Sequence, residues 1–279
     1  MSKRRRQAPA VRTSAPVKPS STRSTSPATP PAAPQGTIAA RAWQHARALF
    51  LSFAPVLGVF LFARVALAEA YYIPSSSMEP TMLVGDRLFV NKLRFGPHIP
   101  FTSVNLPGYA EPVRGDIAVF VSPPQDPSIR ITPDDVTPTL VKRIVGVGGD
   151  TLYMREGRLY VNGVVESRAV PQAGDASDFV HPLFGWQHAI ETKGSRFGDV
   201  VDTPSLHQWG PLVVPAGAFF MMGDNRDNSV DSRYYGPVPR ASVRGRPTFV
   251  YYSYDTERGL AFVRAVTEVR WSRLGTWIR

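Results

Sequence analysis

The sequence contains no cysteine among its 279 residues. This absence excludes disulfide bonds, thiolate metal sites and a cysteine nucleophile. The five histidines are scattered, without an H-E-x-x-H pattern or a similar spacing, so the sequence predicts no metal centre. Neither a Rossmann nor a P-loop glycine pattern is present, and we expect no cofactor.

Acidic residues are missing from the first 68 positions, which carry ten basic residues. The net charge of the chain is +10 at pH 7, whereas residues 65–279 carry 22 basic and 22 acidic side chains. The excess charge therefore belongs to the N-terminal part. Because the rest of the chain is electrically balanced, we predict no nucleic-acid partner.

The N-terminal part divides into two segments. Residues 1–45 are rich in Pro, Ser, Thr, Ala and Arg and poor in large apolar side chains, a composition that predicts disorder. The stretch ALFLSFAPVLGVFLFA, Ala48–Ala63, carries no charge. If Arg64 snorkels, the apolar stretch extends to Ala68, which is enough for a hydrocarbon core of about 30 Å. The sequence therefore predicts a transmembrane anchor helix over 46–69.

A cleaved signal peptide is the alternative to an anchor, because Ala66–Ala68 has the small-x-small pattern of a cleavage site. The long basic region and Arg64 favour an uncleaved anchor. The positive-inside rule then predicts a single-pass protein of the bacterial inner membrane, with a cytoplasmic N-terminus and lipid around the anchor.

Beyond the anchor, the chain changes to short segments of the kind that form β-strands. They are DRLFVNKLRF, GDIAVFVSP, TLVKRIVGV, DTLYMREGRLYVNGVVES and GRPTFVYYSY, with Gly, Pro and Asp at their ends. We predict a mainly β extracytoplasmic domain over 70–279, built as an antiparallel sheet or partial barrel. Residues 166–212 are irregular and polar, and we predict that they form an insertion on that sheet.

The stretch PSSSMEPTM, Pro74–Met82, holds three consecutive serines between two prolines. Prolines stiffen the backbone on both sides of the serines. In an extended chain Ser75 and Ser77 point to the same side and Ser76 points away. Taken alone, such a stretch is typical of a turn or linker.

Lys142 lies in the apolar run LVKRIVGVGGD. Such a lysine either reaches solvent from its strand or is buried, and burial lowers the pKa of an ammonium group by up to several units. A neutral lysine beside a serine is a general base. Arg143 cannot take this role because arginine does not deprotonate in proteins.

The stretch GDNRDNSVDSRYYGPVP, Gly223–Pro239, is rich in residues that favour Asx turns. A calcium loop is disfavoured, because Arg226 occupies a position that needs an oxygen ligand and the loop glycine is missing. Asp231 and Arg233 are two positions apart and are candidates for a structural ion pair.

Together these stretches resemble the bacterial type I signal peptidases (leader peptidases), membrane-anchored endopeptidases with a Ser-Lys dyad. PSSSMEPTM is similar to the family box P-S-x-S-M-x-P-T, RGDIAVF to R-G-D-[IV]-[VI]-V-F, and VKRIVGVGGD to K-R-[VI]-[VI]-G-x-x-G-D. The stretch that begins at Gly223 is similar to G-D-N-[RS]-x-[DN]-S-x-D-S-R-x-[FWY]-G. The four boxes stand in the family's order and cover about a fifth of residues 70–279.

The resemblance implies a role for each matching residue. Ser77 would be the nucleophile and Lys142 its general base, with the Ser75 hydroxyl in the oxyanion hole. Ser229 would hold the Lys142 amine, and Asp231 with Arg233 would brace the loop. The residues implied for the substrate pocket are Ile73, Pro74 and Met78. Secretory preproteins with small residues before the cleavage site would be the substrates.

Two positions depart from the family pattern. Ser76 stands where the family often has Gly, and Leu140 stands where Tyr is common, which leaves the local substrate contacts open. Another Ser-Lys peptidase, such as a self-cleaving repressor or a conjugation-system peptidase, is the alternative enzyme. The alternative outside enzymes is a tethered β domain that binds partners.

Overall fold

The computed structural model describes residues 38–66, 68–98, 102, 104–166, 178–192, 196–255 and 267–279. The chain divides into two units, Met1–Ser52 and Phe53–Arg279. The first described element is a 29-residue helix, α1 (Ile38–Ala66), with Pro55 inside it. Among the described residues, no helix combines the length and the apolar character that crossing a membrane requires.

Helix α1 begins inside the segment that composition predicted to be disordered. Residues 38–45 lie in this helix, where Ala, Arg and Gln, which favour helices, replace Pro and Ser. Residues 1–37 lie outside the described residues. The predicted anchor, 46–69, also extends too far, since its last two residues, Ala68 and Glu69, belong to the first strand.

Eleven strands follow in the described part of the chain. In chain order they are β1 (Ala68–Tyr72), β2 (Asp86–Asn91), β3 (Ile117–Val121), β4 (Thr139–Val147), β5 (Thr151–Arg155), β6 (Arg158–Val161), β7 (Val164–Val165), β8 (Trp209–Val213), β9 (Ala218–Met222), β10 (Val238–Pro239) and β11 (Val243–Ser253). A four-residue helix, α2 (Ser232–Tyr235), separates β9 from β10.

The strands form two antiparallel sheets, as the sequence predicted for a mainly β domain. The larger sheet has the order β1-β2-β11-β3-β4-β9-β10, and the smaller one the order β7-β6-β5-β8. Register shifts interrupt the pairing of β11 with β2 and β3 and that of β4 with β9. Such bulges bend strands and increase their twist, so the larger sheet curves. Its edge strands β1 and β10 do not pair with each other in the described structure, and the sheet stays open.

The predicted insertion, 166–212, is more regular than its composition suggested. Its described parts, 178–192 and 196–212, contain a 3₁₀ helix, Pro182–Ile190, and most of β8. The prediction of irregular structure is therefore wrong for these two elements. Strand β8 pairs with β5, so the end of the segment completes the smaller sheet. Residues 167–177 and 193–195 lie outside the described residues.

The buried apolar side chains form three clusters. One lies between the two sheets, around Trp209 and Phe220. A second lies on the larger sheet, around Phe120 and Met221. The third contains Ile73, Met78, Met82, Leu88, Ile117, Val250 and Ile278. Because Ile73 and Met78 flank the three serines, this third cluster fixes the serine segment against the larger sheet.

Candidate active site

The three serines lie in a sharp corner of the chain. Ser75 is extended (φ −133°, ψ 154°) and directly precedes one turn of 3₁₀ helix, Ser76–Met78. Met78 is 1% exposed and anchors that turn in the third apolar cluster. The Oγ atoms of Ser75 and Ser77 are 3.3 Å apart. The two hydroxyls share a side, as predicted, although the chain is extended at Ser75 and turns at Ser77.

Lys142 meets Ser77 from the centre of the larger sheet. It lies on β4 opposite Ala118 of β3, and it is 4% exposed. Its Nζ donates a hydrogen bond of 2.5 Å to Ser77 Oγ, the one hydrogen bond of this amine within the described chain. Burial lowers the pKa of Lys142 from 10.5 to about 8, because desolvation outweighs the attraction of the Asp231 carboxylate. The lysine is thus buried, and it does not reach solvent as the alternative reading proposed.

Arg143 binds a carboxylate that the sequence analysis did not single out. Its Nε and Nη2 donate to the two carboxylate oxygens of Asp224, each at 2.7 Å. Its Nη1 donates to the Gly115 carbonyl at 2.8 Å, and Thr81 Oγ1 donates to Asp224 at 2.6 Å. This bidentate pair links β4 to the segment that follows β9.

The loop of residues 223–231, which we name the 223–231 loop, holds the serine corner. The backbone N–H of Asn225 donates to the Ser77 carbonyl at 3.1 Å. Asn225 Nδ2 donates to the Ser76 carbonyl at 3.3 Å, and Asn228 Nδ2 donates to Ser76 Oγ at 2.8 Å. Two hydrogen bonds to backbone carbonyls and one to the Ser76 hydroxyl therefore hold the corner that carries Ser77.

Close approach explains the glycine at the start of this loop. A Cβ atom on Gly223 would collide with the Ser77 carbonyl oxygen and with Ser229 Oγ. Its φ is not in the left-handed region, so the requirement is one of space. The absence of a side chain at this position lets the loop pack directly against the nucleophile candidate.

Asp231 and Arg233 form the ion pair that the sequence predicted. Arg233 Nε and Nη2 donate to the two oxygens of Asp231 at 2.9 Å each, and both side chains are fully buried. Asp231 also caps α2 by accepting from the Arg233 N–H, and it accepts from the Gly223 N–H at 3.2 Å. Burial works to raise the pKa of Asp231, but the Arg233 guanidinium, with smaller effects of Lys142 and Ser229, outweighs burial, so the pKa lies below its ordinary value.

The resemblance implied that Ser229 holds the Lys142 amine. Its hydroxyl is buried, and within the described residues no partner meets hydrogen-bond geometry, so the bond to Lys142 stays a prediction from the resemblance. The close packing of Ser229 Oγ on Gly223 holds it there. The hydroxyl also lies near enough to the Asp231 carboxylate to help lower the pKa of that group.

An apolar cavity opens beside the serine and the lysine. Its volume is about 410 Å³. The three residues predicted for a substrate pocket, Ile73, Pro74 and Met78, all contribute to its wall. The wall also includes Ser75, Ser77, Lys142, Leu140, Val141, Ile129 and Ile131. Ser77 and Lys142 therefore face a space that can hold a short, mostly apolar peptide segment.

One protein family matches most of the chain. The family model described as signal peptidase, peptidase S26, matches residues 46–252, which is about three quarters of the chain. The chain belongs to this family. It is a peptidase that cleaves signal peptides, and the recognition of a type I signal peptidase from the four boxes is confirmed.

Curated signal peptidases match most of the chain. The signal peptidase I of Pseudomonas aeruginosa is 37% identical over 219 residues, which cover 73% of this chain and 71% of that protein. The signal peptidase I of Leptolyngbya laminosa is 32% identical, over 80% of this chain and 87% of that protein. A crystal structure of a signal peptidase I from Enterococcus faecalis has 29% identity and a TM-score of 0.29, over 49% of this chain and 96% of that one.

Several polar residues of the candidate site were not selected from the sequence. They are Thr81, Asp224, Asn225 and Asn228. Each lies inside a quoted box, so its place in the family motif could have marked it as a candidate site residue. No group of His, Asp and Glu suited to a metal ion occurs in the described part of the chain.

Proposed function

We propose that this signal peptidase cuts the preprotein with Ser77 as nucleophile and Lys142 as general base. The observation that carries the proposal is the 2.5 Å hydrogen bond between Lys142 Nζ and Ser77 Oγ in a buried setting. A lysine with a pKa of about 8 is deprotonated often enough near neutral pH to accept the serine proton. An ordinary lysine is almost fully charged there.

The chemistry proceeds in two halves. Neutral Lys142 takes the proton of Ser77 as Oγ attacks the scissile carbonyl carbon. When the carbon–nitrogen bond breaks, the Lys142 ammonium returns the proton to the leaving amine, and the signal peptide remains as an ester on Ser77. A water molecule then gives its proton to Lys142 and attacks the ester. The signal peptide leaves as a carboxylate, and Ser77 regains its proton.

The oxyanion that forms in each half needs hydrogen-bond donors. We assign this role to the Ser75 hydroxyl together with the backbone N–H of Ser77. The separation of 3.3 Å between the two Oγ atoms supports Ser75 as a donor beside the reacting carbon. The proton of Ser75 then points to the oxyanion when Ser77 is acylated.

The buried pair Asp231–Arg233 supports the base without touching the substrate. The Asp231 carboxylate raises the pKa of Lys142, and the Arg233 guanidinium lowers it, so the two oppose each other. We propose that the pair fixes the 223–231 loop, which in turn holds Ser77 through Asn225. Ser229 would contribute through Asp231.

Preproteins with small residues before the cleavage site are the proposed substrates. The cavity beside Ser77, with Ile73 and Met78 in its wall, is the space in which the residues before the cleavage site would bind. To test the function, the full chain in detergent is incubated with a secretory preprotein, and the product is sequenced from its new N-terminus. We expect one cut after a small residue; an uncut preprotein would contradict the proposed function.

We also propose a single-pass topology of the inner membrane, with lipid around residues 46–66 and the tail in the cytoplasm. The uncharged run Ala48–Ala63 and the acid-free basic tail support this orientation. Protease added to spheroplasts is expected to digest the chain beyond Ala68 and to spare the tail, as followed with tags at both ends. A protected C-terminal domain together with a digested tail would reverse the proposed orientation.

A further inference from the structure

The described part of the insertion packs directly on α2. Its 3₁₀ helix, Pro182–Ile190, begins at a proline and is capped by His181, which accepts the Leu183 N–H. The buried ring of Phe184 contacts the ring of Tyr234 edge-on, with centroids 4.8 Å apart. The His181 ring lies 5.3 Å from the same tyrosine ring. One face of α2 is therefore covered by the insertion.

A hydrogen bond from this 3₁₀ helix supplies a donor to a backbone carbonyl of α2 that the helix itself leaves without one. The carbonyl of Arg233 would bond to the N–H four residues later in a continuing helix, but that residue is Pro237, which has no N–H. Trp186 Nε1 donates to this carbonyl instead, at 2.9 Å. Gln187 Nε2 approaches the same oxygen at 3.5 Å, which is at the limit of a hydrogen bond.

Further contacts join residues near the two ends of the insertion to the 223–231 loop and to α2. His207 Nε2 lies 2.8 Å from an oxygen of Asp227, and Glu166 accepts from Arg226 Nη2 at 3.1 Å. The Leu206 carbonyl accepts from Arg233 Nη1 at 3.5 Å. Two of these contacts end on the loop and the third on Arg233 of α2, the residue whose carbonyl Trp186 binds.

We infer that the insertion fixes the position of α2 and of the 223–231 loop relative to Ser77 and Lys142, and that Trp186 is a positioning residue for the cleavage reaction. The inference rests on the proposed roles of Ser77 and Lys142. Trp186 fixes the backbone of Arg233, whose side chain orients Asp231. The Asp231 carboxylate accepts from the Gly223 N–H, and Gly223 packs against Ser77. The chain of contacts runs from the insertion to the nucleophile without touching the substrate.

The pKa of Lys142 reports whether α2 and the 223–231 loop keep their positions, because the charged groups that act on this lysine lie on them. These groups are Asp231, Arg233 and Asp224, all carried by the 223–231 loop or α2, and the largest effect is burial itself. If α2 loosens, water reaches the lysine amine. Its pKa then rises toward the ordinary value, and the acid limb of kcat/KM moves to higher pH.

The test compares two Trp→Phe variants of the full chain in preprotein cleavage. Trp186→Phe keeps an aromatic ring and removes the donor to Arg233. Trp209→Phe is the matched control, since this buried indole lies in the same apolar cluster and its Nε1 has no hydrogen-bond partner within the described residues. We expect Trp186→Phe to lower kcat about tenfold, the equivalent of about 1.4 kcal/mol, with KM unchanged. Its acid limb should move upward, whereas Trp209→Phe should lower the melting temperature and leave the limb in place.

Gln187 can take over part of the donor role, so Gln187→Leu and the Trp186→Phe/Gln187→Leu variant complete the series. Gln187→Leu keeps the indole and should give a smaller shift in the same direction, and the double variant the largest shift. An acid limb that stays at the wild-type pH in all three would overturn the inference. Wild-type cleavage and an inactive Ser77→Ala variant, measured alongside, test the proposed function separately.

Discussion

Replacement of Ser77 by alanine is expected to lower preprotein cleavage by about 10⁶-fold, the size of loss that follows removal of a serine protease nucleophile. Without Oγ no ester can form, and Lys142 has no hydroxyl to deprotonate. The fold should remain intact, because Met78 and Ile73, not Ser77, fill the apolar cluster beneath the corner. Cleavage is measured as the appearance of the mature protein over time, and folding by circular dichroism.

The neighbouring serines provide matched controls for this variant. Ser75→Ala removes the proposed oxyanion donor and should lower kcat by about 10²–10³-fold, with a much smaller effect on KM. Ser76→Ala removes an acceptor of Asn228 at a half-buried position, where water can replace it, and should cost only a few-fold. A Ser77→Ala protein that still cleaves at an appreciable rate would rule out Ser77 as the nucleophile.

Lys142→Arg is the second substitution expected to abolish cleavage, although it retains the positive charge. A guanidinium stays protonated at any pH that the fold tolerates, so it cannot accept the proton of Ser77. Its planar head is also larger than the ammonium that fits against Ser77 Oγ. Cleavage should therefore stay at background from about pH 6 to about pH 10, and it should not recover at the alkaline end.

Lys92 offers the same substitution away from the site. Its ammonium pairs with Glu69 at 2.7 Å, and an arginine can form that ion pair equally well. Lys92→Arg should therefore keep wild-type activity and stability. An active Lys142→Arg enzyme would mean that the lysine acts only as a positive charge and that another group is the base.

The two residues proposed for the dyad could be read from the sequence because each lies in a short, contiguous box. The contact between them could not, since Ser77 and Lys142 are 65 positions apart and meet through the pairing of different strands. The ion pair of Asp231 and Arg233 could be predicted for a similar reason, because a pair two residues apart needs no knowledge of the fold. The close packing of Ser229 on Gly223 could not be predicted, because it depends on the three-dimensional path of the loop.

Strands β8 and β9 were not among the segments that the sequence predicted to be strands. Strand β9, Ala218–Met222, has four buried residues in succession and no alternation, so its pattern did not indicate a strand. Strand β8 contains Gly210 and Pro211, residues that are typical of turns. The support that Trp186 gives to Arg233 joins positions 47 apart and has no local signal at all.

The central claim is that Lys142 acts in its neutral form, and the pH dependence of kcat/KM tests it most directly. Below its pKa the lysine is protonated and cannot act as a base, so cleavage should rise with pH and level off above the pKa. The wild-type enzyme is therefore expected to show a single acid limb near pH 8, well below the ordinary 10.5 of a lysine. An acid limb near 10.5, or one near the histidine value of about 6.5, would contradict the account.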